Sequence, residues 1–200
     1  LLKLVKEIVF CLNRIQKPLI LLVGAGYSSI GLILMQNGFD NLVITDVEPD
    51  AILFQQSLTK CPNIMLDDIL HSKLKPYSFD LILDISLTDV FIRQRQSSLK
   101  AMNSLENLLS PYGVVLSLSI FHKPWKRLTS QCWKPFGCIT SYAIVENFIR
   151  SKRRPYAGGI PHPIGIFLHQ RKTEWKQVSF PMKLLSQVRL LDMASGAEDM

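Results

Sequence analysis

The stretch Leu19 to Asp46, LILLVGAGYSSIGLILMQNGFDNLVITD, decides how this chain is read. An apolar run, Leu19 to Val23, meets Gly24-Ala25-Gly26. Polar Tyr27-Ser28-Ser29 follows, then an apolar segment ending at Asn37-Gly38, then a second apolar run, Leu42 to Ile44, that stops at Asp46. Strand, tight turn, helix, strand, acid is half of a nucleotide-binding βαβ unit. Without a Cβ, Gly24 and Gly26 let the backbone turn sharply and let a ligand lie against it, with the N–H groups of the next helix start pointing toward that ligand. An acid at the tip of the following strand, Asp46, is placed to accept hydrogen bonds from ribose hydroxyls.

Spacing narrows the choice of nucleotide. The dinucleotide fingerprint puts its third glycine where this chain has Ser29, and the third glycine here is Gly31. A phosphate-binding Gly-Lys-Ser/Thr is absent. What remains is a looser G-x-G turn suited to a nucleoside ligand without a pyrophosphate.

Outward from this unit, three further acids mark strand ends or turns. Asn63 to Leu66 reads as a short third strand closing on Asp67-Asp68, and Phe79 to Leu83 as a fourth closing on Asp84. In an open parallel sheet such ends share the carboxyl edge, where ligands bind. Bare carboxylates from Asp46, Asp68 and Asp84 on one rim repel unless something polar or cationic lies between them, and a sulfonium-bearing nucleoside suits that space. For Asp50, Asp67 and Asp80 a structural role as strand-end or cap residue is the better reading.

The remaining elements follow from periodicity. Leu1 to Arg14 has one-sided helical spacing. Ser28 or Ser29 is placed to cap a helix that Gly38 ends. Ala51 to Thr59 reads as a helix, and Ser97 and Ser98 are placed to cap one carrying Leu99, Met102, Leu105 and Leu109. Pro111-Tyr112-Gly113 reads as a turn into a fifth strand, Val114 to Ile120; Ile139 to Phe148 and Ile164 to Gln170 read as a sixth and an antiparallel seventh. The expected fold is α/β, a Rossmann-like doubly wound seven-stranded sheet. The domain runs from residue 1 to 172, and 173–200 forms a C-terminal helix or tail.

With 200 residues, 48% hydrophobic and 20% charged, the chain bounds one domain with a sizeable core. It opens on Leu1, so a truncated or processed product is expected. The uncharged window Pro18 to Phe39 is long enough to span a bilayer, but Gly-Ala-Gly-Tyr-Ser-Ser at its centre favours a buried strand plus a buried helix, and no membrane span is expected. Cys11, Cys61, Cys132 and Cys138 lack paired C-x-x-C spacing, and the four histidines complete no ligand set, so reduced thiols, no metal and an intracellular protein are expected. Within that setting the cytoplasm is preferred to the mitochondrion.

The +7 net charge is uneven. Residues 122–136 hold Lys123, Lys126, Arg127 and Lys134, and residues 150–163 hold Arg150, Lys152, Arg153 and Arg154, with no acid in either segment. These two loops therefore carry essentially the whole excess. Both are expected to leave the carboxyl edge, where Lys123, Lys126, Arg127, Arg150, Arg153 and Arg154 rim an acidic macromolecular substrate, protein or RNA.

The order of motifs resembles the class I methyltransferases, and more narrowly the elongation-factor lysine methyltransferase group of methyltransferase-like proteins. The group's D-x-G-C-G-N-S-x-L-S turn is matched by Leu22-Val23-Gly24-Ala25-Gly26-Tyr27-Ser28-Ser29-Ile30-Gly31, and its F-D-x-x-x-D/E-K-G-T-x-D-A by Phe79 to Val90. The resemblance covers about Ile15 to Lys172 and implies S-adenosyl-L-methionine as cofactor. It implies contacts from Gly24, Ala25, Gly26, Ser28, Asp46 (ribose), Val47, Asp68 (adenine amino group), Ile69 and Asp84. Two departures stand out: Leu22 replaces an acid that helps hold the methionine end, and Ile85-Ser86-Leu87 replaces Lys-Gly-Thr.

Methyl transfer from a sulfonium is an in-line displacement that asks the protein mainly for alignment. A lysine acceptor must lose its proton, so Asp84 is expected to orient the amine, with Trp133 or Tyr142 as an aromatic wall. Asn-Pro-Pro-Tyr is absent after the fourth strand, which argues against adenine-N6 or glutamine acceptors. Protein-lysine methyl transfer is the leading expectation. An RNA methyltransferase using the basic, aromatic-laced loops is the second, and a non-catalytic subunit of a larger ribonucleoprotein or mitochondrial assembly is the third, motivated by Leu22 and Ile85.

Overall fold

A computed structural model describes residues 1–12, 17–91, 94–119, 134–141 and 164–170. Strands β1 (Ile20–Val23), β2 (Leu42–Asp46), β3 (Asn63–Leu66), β4 (Phe79–Ile85), β5 (Leu109–Ser119), β6 (Lys134–Ser141) and β7 (Ile164–Gln170) form one sheet in the order β3-β2-β1-β4-β5-β7-β6. The first five are parallel; β7 runs antiparallel to both β5 and β6. The expected Rossmann-like α/β sheet is therefore the architecture of the chain.

Both faces of the central strands are covered, which is why they read as unbroken apolar runs and not as alternations. Along each strand successive side chains point to opposite faces. Leu22, Leu83 and Leu116 join one core with Leu4, Val5, Ile8 and Leu12 of α1 (Leu2–Cys11) and its C-cap, and with Leu34 of α2 (Ile30–Gln36). Their neighbours Leu21, Ile82 and Val115 join the other core with Ala101, Met102, Leu105 and Leu108 of α5 (Arg95–Leu108). The uncharged window that mimics a membrane span is thus divided between β1 and α2. Among the described residues no helix is long and apolar enough to cross a membrane.

At the amino edge, Asp80 ties three strands together. Its carboxylate accepts from the Leu19 amide at 2.9 Å and from the Ser110 hydroxyl at 2.7 Å, just ahead of β1 and at the start of β5. This is the structural role its position suggested.

Several boundaries depart from expectation. β5 begins at Leu109 because Pro111-Tyr112-Gly113 is a bulge and not a turn before the strand: Phe79 pairs with Leu109, and the next pair, Leu81 with Val114, skips the intervening residues. β6 spans Lys134–Ser141 and so begins ahead of the expected Ile139, with Lys134 opening a strand instead of closing a loop; residues 142–148 of the expected strand lie outside the described residues. Ser29 stands at the N-cap of α2 without a side-chain bond, and α5 starts at Arg95, where Ser98 bonds the carbonyls of Phe91 and Gln94. α3 (Pro49–Leu58) has proline in its first turn, as expected of a helix start. Gly38 does end α2, at φ +83°. A 3-10 turn (Ile69–His71) and the short α4 (Leu87–Phe91) were not anticipated.

Candidate functional site

The parallel register lines up the carboxyl ends of β3, β2, β1, β4 and β5 along one rim. Leu66 pairs with Asp46, Val23 with both Thr45 and Asp84, and Asp84 with Ser117. Beyond Val23 the chain turns at Gly24 (φ +61°) and Gly26 (φ +52°), left-handed conformations that favour glycine. The Ala25 amide donates to the Thr45 carbonyl at 3.1 Å, so the turn stays tied to β2 as it leaves β1.

Asp46 is buried, and its carboxylate organises this turn. Oδ2 accepts from the Gly26 amide at 2.7 Å, and Oδ1 from the Glu48 amide at 2.9 Å. Each oxygen keeps a second lone pair for a ligand hydroxyl. Gln55, fully buried on α3, donates Nε2 to the carbonyls of Gly26 (2.8 Å) and Ser28 (2.9 Å), fixing the far side of the same turn. Sequence reasoning missed Gln55; the available signal was a polar residue one helical turn after Ala51 on the buried stripe of α3.

Around Gly26 there is room. A Cβ built there meets nothing within 4 Å, and Val47, directly after Asp46, is exposed, as are Tyr27 and Leu66. Ala25 is buried and Ser28 half-buried. The structure thus brings Gly26, Ser28, Asp46 and Val47 together beside an open, partly apolar surface.

Asp68 follows β3 and caps the 3-10 turn, with Oδ1 accepting from the Leu70 amide at 2.9 Å. His71 Nδ1 lies 2.8 Å from Oδ2, and His71 Nε2 lies 2.7 Å from Lys100 Nζ. The His71 ring, aided by the Leu70 amide, holds the Asp68 carboxyl below its ordinary range. Asp68 therefore remains an exposed anion next to the Asp46 end of the rim. Ile69 points its side chain into the core, so only its backbone is offered to a ligand. Asp67 bonds the Lys73 amide, a structural role.

At the β4 end the arrangement differs from expectation. Asp84 was expected to orient an acceptor amine and to touch the cofactor, but its carboxylate is wholly buried. Oδ1 accepts from the Leu87 and Thr88 amides (3.1 and 3.2 Å) and Oδ2 from the Thr88 hydroxyl (2.7 Å), so Asp84 caps α4 from within. Burial pushes its carboxyl up to about 6 against the opposing pull of Thr88. Asp89, half-exposed on α4, bonds the hydroxyl of Ser119 at the end of β5.

Leu87 lies over the first glycine. A Cβ on Gly24 would come within 2.7 Å of Leu87 Cδ1, 2.9 Å of its Cβ and 3.0 Å of its Cγ. Leu22, where the resemblance puts an acid, is buried in the α1-side core. The two glycines of the turn therefore face different surroundings: Gly26 opens to free space, whereas Gly24 is covered.

Trp133, Tyr142, Lys123, Lys126, Arg127, Arg150, Arg153 and Arg154 lie outside the described residues. The described strand ends flanking them are informative nonetheless. Ser119 and Thr140 both pair with Gly165, which puts the end of β5, the end of β6 and the start of β7 on the carboxyl edge. Among the described residues no three His, Cys, Asp or Glu side chains group so as to hold a metal ion.

No family model matches the sequence, and no curated protein matches it. The structure is similar to solved ones. A SAM-dependent methyltransferase from Methanosarcina mazei superposes with a TM-score of 0.61 at 12% identity, over 81% of this chain and 96% of that one. The N-methyltransferase NodS from Bradyrhizobium japonicum, in complex with S-adenosyl-L-homocysteine, gives 0.58 at 13% identity over 84% and 85%. The [4+2]-cyclase SpnF gives 0.59 at 8% over 83% and 80%. At such identities the likeness is one of fold: the chain has the class I methyltransferase fold, a scaffold whose sites set its chemistry.

Proposed function

We propose that this chain binds S-adenosylmethionine and transfers its methyl group, with a protein lysine ε-amine as acceptor. The observation that carries the reading is the Gly26–Asp46 junction. A buried carboxylate fastens a left-handed glycine turn at 2.7 Å, and the space in front of that glycine is open. This is a donor and acceptor set suited to a ribose, beside the exposed Val47 as an apolar surface for a base. Asp68, anionic and exposed at the next strand end, suits an amino group on that base.

Gly26, Ser28, Asp46, Val47, Asp68 and the Ile69 backbone would hold the adenosyl part. When bound, the cofactor supplies a methyl group on a sulfonium. The chain's own contribution is to align it and to accept a proton from the amine. Asp84, buried and capped, is not available to that amine, so we assign proton removal to the half-exposed Asp89 at the same end of the rim. The basic segment between β6 and β7, flanked on both sides by strand ends at this edge, and the one that leaves the same edge after β5 supply the docking surface for an acidic acceptor protein.

A second reading has its own support. Leu87 over Gly24 and Leu22 in the core weaken the end of the site away from the base, which favours a methyltransferase-fold subunit without catalysis. Calorimetry with S-adenosylmethionine and a labelled-methyl assay on cell lysate, split into protein and RNA fractions, test both. Cofactor binding with label in protein lysine is the expected result. Label in RNA replaces the acceptor, and binding without transfer favours the second reading. Absence of binding at millimolar cofactor removes the enzyme.

A further inference from the structure

The strand order fixes the direction in which a bound nucleoside must extend. With a base at the β3 end near Asp68 and a ribose at the β2 end on Asp46, any 5′ substituent continues along the rim across the β1 turn toward β4. Gly24 lies on that path, and Leu87 is already in contact there through Cβ, Cγ and Cδ1. No acid in the turn competes for an ammonium group, because position 22 is a core leucine.

Leu87 is held in place from three directions. Its amide donates to Asp84 Oδ1 at 3.1 Å. The preceding Ser86, a non-glycine residue at φ +62°, donates its amide to the Leu118 carbonyl at 2.9 Å. The Leu87 side chain packs, half-buried, on the core that contains Leu21 and Val23. A non-glycine residue in the left-handed region is strained and persists only where its surroundings impose it. Ser86 is therefore a natural pivot for the segment that carries Leu87.

We infer that Leu87 is a built-in competitor for the amino-acid tail of the cofactor: it fills the tail's place beside Gly24, and a tail-bearing nucleoside must displace it about Ser86 before binding. The inference rests on the adenosyl-binding reading above and adds a regulatory contact to that site. A nucleoside with only a short 5′ substituent does not reach Gly24 and meets no such barrier.

The test is calorimetry on the full chain and its Leu87→Ala variant with two probes, S-adenosylhomocysteine, which has the tail, and 5′-methylthioadenosine, which lacks it. The expected result is at least tenfold tighter binding of S-adenosylhomocysteine to the variant, with methylthioadenosine changed less than about twofold. Equal shifts for both probes, or none for either, overturn the inference and leave the adenosyl site standing. Failure of both probes to bind both proteins overturns the inference and the adenosyl site together.

Hydrogen exchange on the unmodified chain guards against a variant that misfolds. The amides of Leu87 and Thr88, bonded to Asp84, are expected to lose protection under saturating S-adenosylhomocysteine but not under methylthioadenosine. Unchanged protection with both bound ligands overturns the displacement.

Discussion

The Gly26 amide and the Asp46 carboxylate meet at 2.7 Å although twenty residues separate them in sequence. One bond thus joins the turn after β1 to the tip of β2. A hydrogen bond to a charged group contributes about 1.5 to 3 kcal/mol, and a ligand that uses the same carboxylate depends on it twice. Asp46→Ala is expected to lower stability by about 2 kcal/mol and to abolish measurable nucleoside binding. Urea denaturation and calorimetry on the same preparation check the two effects separately.

Gln55 holds the opposite side of the turn by donating to two carbonyls. Gln55→Leu keeps the size of the side chain but leaves the Gly26 and Ser28 carbonyls without this donor. A cost of about 1 to 3 kcal/mol is expected, with weaker nucleoside binding. A variant as stable as the parent by chemical denaturation contradicts the bracing role.

Gly31 marks a contact between helix and sheet. A Cβ there would come within 2.7 Å of Ile44 Cδ1 and 3.3 Å of Gln55 Oε1. Alanine favours the helix by up to about 1 kcal/mol, but overpacking costs about 1 to 3. Gly31→Ala is therefore expected to be destabilising on balance, as a lowered melting temperature.

Asp84 makes stability depend on pH. Its carboxyl is raised from 3.8 to about 6 in the folded chain, so between these values the folded state holds a proton that the unfolded state has lost. Stability contributed by this group consequently falls as pH rises through the window and levels off above it, a change of about 3 kcal/mol. Asp84→Asn is expected to remove that slope. Urea titrations of parent and variant at pH 4, 5, 6 and 7 check it; parallel curves reject the assignment.

Asp89 and Asp84 should separate in function. Asp89→Asn is expected to lower methyl transfer at least tenfold while leaving S-adenosylhomocysteine affinity within about twofold, a split between kcat and binding. Equal loss of both places Asp89 in the structure of the site instead.

The central sheet was legible because strands buried on both faces announce themselves as continuous apolar runs, and Leu19–Val23 and Leu42–Ile44 needed no long-range information. The same holds for the glycine turn and for the strand-end Asp46, although the direct bond between Gly26 and Asp46 has no signal in the sequence. Asp84 shows where such reading stops. Its place at a strand end was evident, but whether its carboxylate faces a cleft or caps the next helix depends on Thr88 and on a turn through Ser86, for which strand periodicity gives no signal. In the sequence Leu87 stands only as a departure from a family pattern; nothing local indicates that it reaches across to Gly24, 63 residues away. The start of the sixth strand is hidden in the sequence because Lys134-Pro135 carries loop-like residues, where a bulge accommodates proline.

Asp80 clamps the floor of the sheet, and Asp46 shapes its upper rim. Two aspartates of the same chemistry thus divide labour along the strand axis. Loss of the lower one is felt by the protein before it ever meets a ligand, as poor yield and easy proteolysis. Loss of the upper one should leave a recoverable, somewhat less stable molecule whose larger defect appears when a nucleoside is offered.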